Sequence, residues 1–316
     1  MRPHAASVVL GLGLALLAAH PAQAQWGVWE ADSLLAAGRV AQAESLYYAA
    51  SSASPRDPGT RAALGRYLAA RGALRIGAVL LEESRLFGGD TAAIARALAP
   101  IYSGLADYRA LVTLPRSPLS PAERSRARWL VAHPRTLESP DSVVMLSYRP
   151  LGDGSGLGIV PLRIGDRRVD AILDARVTGL VLGGRASLWD DAVRTFGSDS
   201  AGTVAATPEL HLGGVTITNV PTRIDSASTS VRVGLDVLRR LAPTFDAPAG
   251  ALLLRRSGQV AAATPGTRRP VLIDQTGMRV LLDGHWQPAT AHGVALLLES
   301  RRWTLDPRRG DLVFGS

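Results

Sequence analysis

The spacing of apolar residues changes once along this chain, and that change limits what the chain can fold into. From Trp26 to about Pro115 they recur at three- and four-residue intervals, as with Leu34, Leu35, Leu46, Tyr47 and Ala50, which lines them along one face of a helix. From Val143 onward the apolar runs are short or alternating, separated by Gly, Asp-Gly or Gly-Asp turns, the pattern of strands and hairpins. Between the two lies a Pro-rich stretch with one short helical pattern, Pro121 to Ala132, behind Ser120 as a plausible N-cap. The expected fold class is therefore multidomain α + β. Helical hairpins occupy 25–115, a Pro-rich linker 116–141, an all-β lobe 142–258, and a shorter β segment 266–316.

Residues 1–24 stand apart from this scheme. Arg2 precedes an apolar stretch from Ala5 to Ala19 and then Ala22-Gln23-Ala24, the order of a secretory signal peptide with small residues at the cleavage positions. The mature chain is expected to start at about Gln25 and to be secreted, into a periplasm. Once the leader is removed no transmembrane segment is expected, because no other stretch is long and apolar enough.

Several function classes fall away. With no cysteine, disulfides and thiolate metal sites are excluded. The six histidines show no ligand spacing, so no metal and no cofactor is expected. All 35 basic residues are Arg, scattered singly or in pairs such as Arg239–Arg240, and the net charge of +8 has no dense basic run behind it; no nucleic-acid partner follows. The glycine cluster Leu151–Gly158 precedes a strand-like segment, whereas a phosphate loop would follow a strand and open a helix. There is no Gly-x-Ser-x-Gly nucleophile elbow.

The helical half carries an internal period. Gly38, Ala43, Tyr47, Ala50 and Pro55 fall at the spacings of one helical-hairpin repeat, Gly72 lies 34 residues after Gly38, and Leu64 and Gly65 occupy close-packing positions of a first helix. A third, poorer unit contains Gly104, Tyr108 and Ala110. This region resembles the tetratricopeptide repeat, whose period is 34 residues. The resemblance implies stacked helical hairpins that serve as a scaffold or interaction surface. The second unit departs from the pattern at Gly77 and Ser84, where the family usually has Ala.

In the β half, "GIVPLRIGDRRVDAILDARVTGLVLG" reads as strand, Gly165-Asp166 turn, strand, carboxylate loop, strand. "LHLGGVTITNVPTRID" adds a strand–Gly-Gly–strand unit, followed by Gly234, Leu235, Asp236 and Leu238, and by a closing hairpin with Phe245, Asp246, Gly250, Leu252 and Leu254. This succession resembles the single-lobe, retroviral-type and pepsin-like aspartic proteases. The resemblance implies a β-barrel domain with Asp174 at the catalytic position of a degenerate Asp-Thr-Gly motif. Such enzymes need two aspartates that share one proton, one activating water and the other protonating the substrate carbonyl. In this chain Ala175 replaces the Thr and Arg176 the Gly, with Thr178 and Gly179 completing the loop. An adjacent guanidinium favours ionised Asp174 and opposes a shared proton.

The end of the chain repeats an earlier part. "LDPRRGDLVF", Leu305 to Phe314, matches "FDAPAGALLL", Phe245 to Leu254, with aspartates 60 residues apart. Residues 266–316 are therefore expected to form an abbreviated second lobe. "VLLDGHWQPATAHG" aligns with the Asp174 segment and sets His292 opposite Asp174. The other second-lobe candidate is Asp274, in "VLIDQTG", an Asp-Thr-Gly with one residue inserted; the insertion turns Thr276 and Gly277 to the wrong side of a strand and favours an ordinary strand-end turn. Beside a purely structural outer-surface protein with no ligand, two functions remain open. One is a catalytically impaired pseudoprotease that binds peptide or protein partners together with its helical repeats. The other is an active endopeptidase that uses Asp174 with a second Asp from a homodimer or from an unrecognised position.

Overall fold

The computed structural model describes residues 20–139, 142–151, 156–238, 241–255, 266–274, 276–306 and 309–315. Most of the expected leader, and part of the Leu151–Gly158 cluster, lie outside the described residues.

Helices come first: α1 (His20–Ala36), α2 (Val40–Ala53), α3 (Pro58–Ala70), α4 (Leu74–Leu86), α5 (Thr91–Leu105), α6 (Tyr108–Thr113) and α7 (Pro121–Ala132). Local chemistry starts several of them. Asp57 accepts from the Thr60 N–H at 2.7 Å ahead of Pro58, Asp90 from Ala92 and Ala93, and Asp107 from Ala110, each satisfying amides that the first helical turn leaves unpaired. Gly38 and Gly72, 34 residues apart, both end a helix with positive φ, +74° and +95°, where a side chain would be strained. Consecutive helices pair as hairpins, and Tyr47 stacks on Tyr67 with ring centroids 4.9 Å apart. The departures in the second unit are accommodated by contact. A Cβ at Gly77 would come within 2.7 Å of the Gly65 carbonyl oxygen, so α3 and α4 meet backbone to backbone, and Ser84 donates to the Pro58 carbonyl at 2.7 Å.

The segment expected as a linker is part of both neighbouring structures. α7 opens with a capping box between Ser120 and Glu123, and its Ala127 and Leu130 belong to the core of the helical array. Its other side reaches the β structure: Arg126 donates to the Thr222 carbonyl at 2.9 Å, and Glu123 pairs with Arg223 at 2.8 Å. Strand β1 (Leu137–Glu138) then adds to β8 (Val215–Asp225). Proline content signals a break in periodicity, but tertiary partners decide whether the segment is loose.

The β structure has two sheets. In the first, β8, β5 (Leu180–Gly183), β9 (Val231–Gly234), β4 (Arg167–Asp174), β3 (Gly158–Ile164) and β7 (Gly202–Leu212) form a ring closed by the β7–β8 pairing, with β6 (Arg194–Asp199) on β7. β9 runs between β4 and β5, parallel to the former and antiparallel to the latter. The loop joining β4 to β5 must therefore bridge the end of a strand that enters the sheet much later in sequence. β9 leads directly into α8 (Leu235–Leu238).

The second sheet runs β14 (His285–Pro288), β13 (Gly277–Leu282), β12 (Gly266–Asp274), β16 (Asp311–Gly315), β15 (Arg302–Asp306), β10 (Thr244–Asp246), β11 (Ala251–Arg255) and β2 (Val143–Ser147). Its centre is the contact between the two matching hairpins. β10 pairs with β15 so that Thr244 faces Thr304, and their hydroxyls hydrogen-bond at 2.8 Å. Residues equivalent by the 60-residue repeat thus lie opposite each other, which makes a local twofold axis. The outer strands follow it: Ser147 faces Ala251 on one side and Pro270 faces Asp311 on the other. Phe245 stacks on Trp303 at 3.9 Å, and one continuous hydrophobic core spans both sheets.

Away from that axis the halves differ. The segment aligned with the Asp174 hairpin does form strand, Asp283-Gly284 turn and strand, as β13 and β14. It is followed by a helix, α9 (His292–Ser300), where the sequence pattern gave only strands. Val294, Ala295 and Leu298 bury the inner side of α9 at the helical spacing of three and four.

Candidate functional site

Asp174 ends β4, and its backbone pairs with Gly234 of β9. The chain then turns sharply: the Val177 N–H donates to the Asp174 carbonyl at 3.2 Å, and Gly234 donates to the Gly179 carbonyl at 2.8 Å. Gly179 has φ +71°, and a Cβ there would overlap the Pro221 carbonyl oxygen, so this position admits glycine alone. The Gly179 N–H donates to Asp236 Oδ1 at 2.8 Å, while Asp236 Oδ2 faces Arg135 at 3.5 Å. Asp236 of the Gly-Leu-Asp segment is thereby a brace for the Asp174 loop.

The Asp174 carboxylate is fully occupied by its own neighbours. Oδ1 accepts from the Arg176 N–H at 3.0 Å and from Arg176 Nε at 2.8 Å. Oδ2 accepts from Arg176 Nη2 at 2.9 Å and from Arg232 Nη1 at 2.9 Å. Its side chain is 2% exposed, whereas those of Arg176 and Arg232 are 43% and 33% exposed. Burial raises the carboxyl pKa, but the hydrogen bonds from Arg176 and the charges of Arg176 and Arg232 outweigh it and hold Asp174 below the usual carboxylate range. The guanidinium of Arg176 thus spans both oxygens of the carboxylate. Ala175 is half-buried, Thr178 exposed, and no side-chain hydrogen bond of either joins this arrangement.

The two second-lobe candidates have different fates. His292 is exposed on the first turn of α9 and does not line the cavity described below; the register that put it opposite Asp174 fails because a helix starts there. Asp274 does face the same space as the Asp174 loop. It closes a tight turn in which Asp274 pairs with Gly277, and a Cβ at Gly277 would come 2.9 Å from Arg176 Cγ. Like Asp174, Asp274 accepts from the backbone N–H two residues on, that of Thr276, at 2.8 Å. Thr276 Oγ1 adds a bond at 2.6 Å and Arg279 Nη2 another at 2.6 Å. Burial raises its pKa, and the Thr276 hydrogen bonds and Arg279 more than reverse this, so Asp274 too sits below the usual range.

The Asp174 and Asp274 loops form one wall of a cavity of about 490 Å³, a size typical of small-ligand and short-peptide sites. The opposite wall comes from the helical array: Arg66, Ala69 and Ala70 of α3, and Ala97, Pro100 and Ile101 of α5. Arg71, at the end of α3, holds the walls together. It donates to the Val271 carbonyl at 2.9 Å, to the Gly310 carbonyl, and to Asp311 at 3.0 Å. A second tie runs from Trp286 Nε1 to the Leu35 carbonyl. No group of three or more potential metal ligands occurs among the described residues.

Neither Arg232 nor the helical wall was legible from local pattern. Arg232 stands two residues before Gly234, and only the parallel pairing of β9 with β4 brings it beside Asp174.

No family model matches the chain, and no curated protein matches it. Solved structures do. One of them is the crystal structure of a retropepsin-like aspartic protease from Rickettsia conorii, 10% identical, covering 38% of this chain and 91% of that one, with a TM-score of 0.27. That likeness is weak.

Proposed function

We propose that this protein is an exported, non-hydrolytic relative of the aspartic proteases, in which a protease-like β-barrel, an abbreviated second lobe and tetratricopeptide-like repeats together bind peptide or protein partners. The observation that carries the proposal is the state of the two aspartates. Each is held ionised by its own arginine and its own loop amide, whereas the hydrolytic chemistry needs two carboxylates close enough to share one proton. Asp174 as the loop aspartate, β9 threaded between β4 and β5, and the matched hairpins around Thr244 and Thr304 support the protease-like ancestry. A homodimer that joined two Asp174 side chains would first have to displace Arg176 and Arg232 from the carboxylate. Export rests on the leader-like residues 1–24 alone.

The test is a peptidase assay on the mature protein with an unfolded protein substrate between pH 3 and 7, beside equilibrium binding of a fluorescent peptide library. The expected result is peptide binding with no cleavage. Cleavage that Asp174→Asn abolishes would overturn the non-hydrolytic part, and a library with no binder would overturn the peptide-binding part.

A further inference from the structure

We infer that the cavity between the Asp174 loop and the helical array recognises the C-terminal end of an apolar peptide, with Arg66 receiving the terminal carboxylate. This rests on the peptide-binding proposal above and names the ligand for that site.

Charge matching around the cavity is uneven. Three aspartates lie in or behind its wall, and each already has an arginine: Asp174 has Arg176 and Arg232, Asp236 has Arg135, and Asp274 has Arg279. Arg66 lines the same cavity and is exposed, with no hydrogen-bond or ion-pair partner among the described residues. A guanidinium left unmatched at the mouth of a concave site is suited to bidentate recognition of a carboxylate. Behind it the lining is largely small and aliphatic, with Ala69, Ala97, Ile101, Val177, Leu235 and Ile273, so the body of the ligand must be apolar to gain from leaving water.

A peptide fits this lining better than a hydrocarbon chain with the same acid group. Thr178, Thr276, Asp236 and Asp274 place hydroxyl and carboxylate groups along the wall. Backbone N–H and C=O groups can add to the hydrogen bonds that Asp236, Asp274 and Thr276 already make and can meet the exposed Thr178 hydroxyl, while a hydrocarbon would bury this remaining capacity unused, at a cost. The carboxylates are acceptors only, which suits peptide amide donors. The terminal carboxylate goes to Arg66 because Arg176 already spends three N–H groups, one of them backbone, on Asp174.

The experiment compares fluorescein-labelled apolar hexapeptides carrying either a free C-terminal carboxylate or a C-terminal amide, by fluorescence anisotropy on the full mature chain at low salt. The free acid is expected to bind at least ten times more tightly. Arg66→Gln should abolish the difference between the two peptides and Arg66→Lys should restore part of it, with circular dichroism confirming that both variants fold. Equal affinity for acid and amide would overturn the C-terminal inference while leaving peptide binding intact. A preference that survives Arg66→Gln would overturn the role of Arg66. Displacement of the bound peptide by hexadecanoate at lower concentration than by unlabelled peptide would overturn the choice of a peptide, and failure of both peptides to bind would remove the underlying proposal as well.

Discussion

Cutting the Asp174 cluster from its two sides should have unequal consequences, because burial is unequal. Asp174→Asn removes the charge and keeps the shape, and the carbonyl of the new side chain can still accept the Arg176 N–H. Arg176 and Arg232, 43% and 33% exposed, can turn to water. The cost is therefore that of exchanging a few charge-assisted hydrogen bonds for solvent, about 1–2 kcal/mol. Replacing both arginines by Met leaves a carboxylate that is 2% exposed without a counter-charge, and breaking a buried pair in this way costs about 3–5 kcal/mol at neutral pH. The pH dependence fixes the sign. In the native protein Asp174 is held below the usual carboxylate range, so its stabilisation is present above the unfolded pKa and is lost as pH falls through the folded one. In the double-Met variant the backbone N–H of residue 176 still donates to Asp174, but burial, the largest influence, is no longer outweighed and raises the pKa. Acid then protonates the folded variant first and relieves its strain, and the gap to the native protein narrows from pH 7 to pH 4. Urea unfolding followed by circular dichroism at the two pH values measures both effects. A larger cost for Asp174→Asn than for the double substitution at pH 7, or a gap that stays constant with pH, would contradict this assignment of charges.

Two further outcomes follow from the same contacts. Arg71→Met should strip the Val271 and Gly310 carbonyls and Asp311 of their tie to α3, costing about 2–4 kcal/mol; faster amide exchange in β12 and β16, with the interior of the barrel unchanged, is the expected readout. Gly179→Ala forces a side chain into positive φ against the Pro221 carbonyl and should lower stability by at least about 2 kcal/mol, visible as a lower urea midpoint, whereas Gly284→Ala, at φ +78° but with nothing near, should cost less.

What the sequence by itself determined is what depends on neighbours along the chain. The change from helical to strand spacing, the cap at Ser120, the paired glycines 38 and 72, the hairpin turns and the 60-residue repeat are local patterns, and the structure has a helical array followed by a closed barrel and a second sheet. The pairing of Asp174 with Arg176 was legible, because two residues of separation keep both in one loop. Tertiary structure decided the rest. Arg232 reaches Asp174 through a parallel pairing between strands 58 residues apart, and no local pattern encodes such a partner. The 116–141 segment lost its linker character because α7 found partners on both sides, and α9 displaced the strand register that had assigned His292 a place in the site. The cavity itself belongs to neither half. Its walls come from α3 and α5 on one side and the two aspartate loops on the other, so its shape and its unmatched Arg66 exist only once the helices have docked on the β structure.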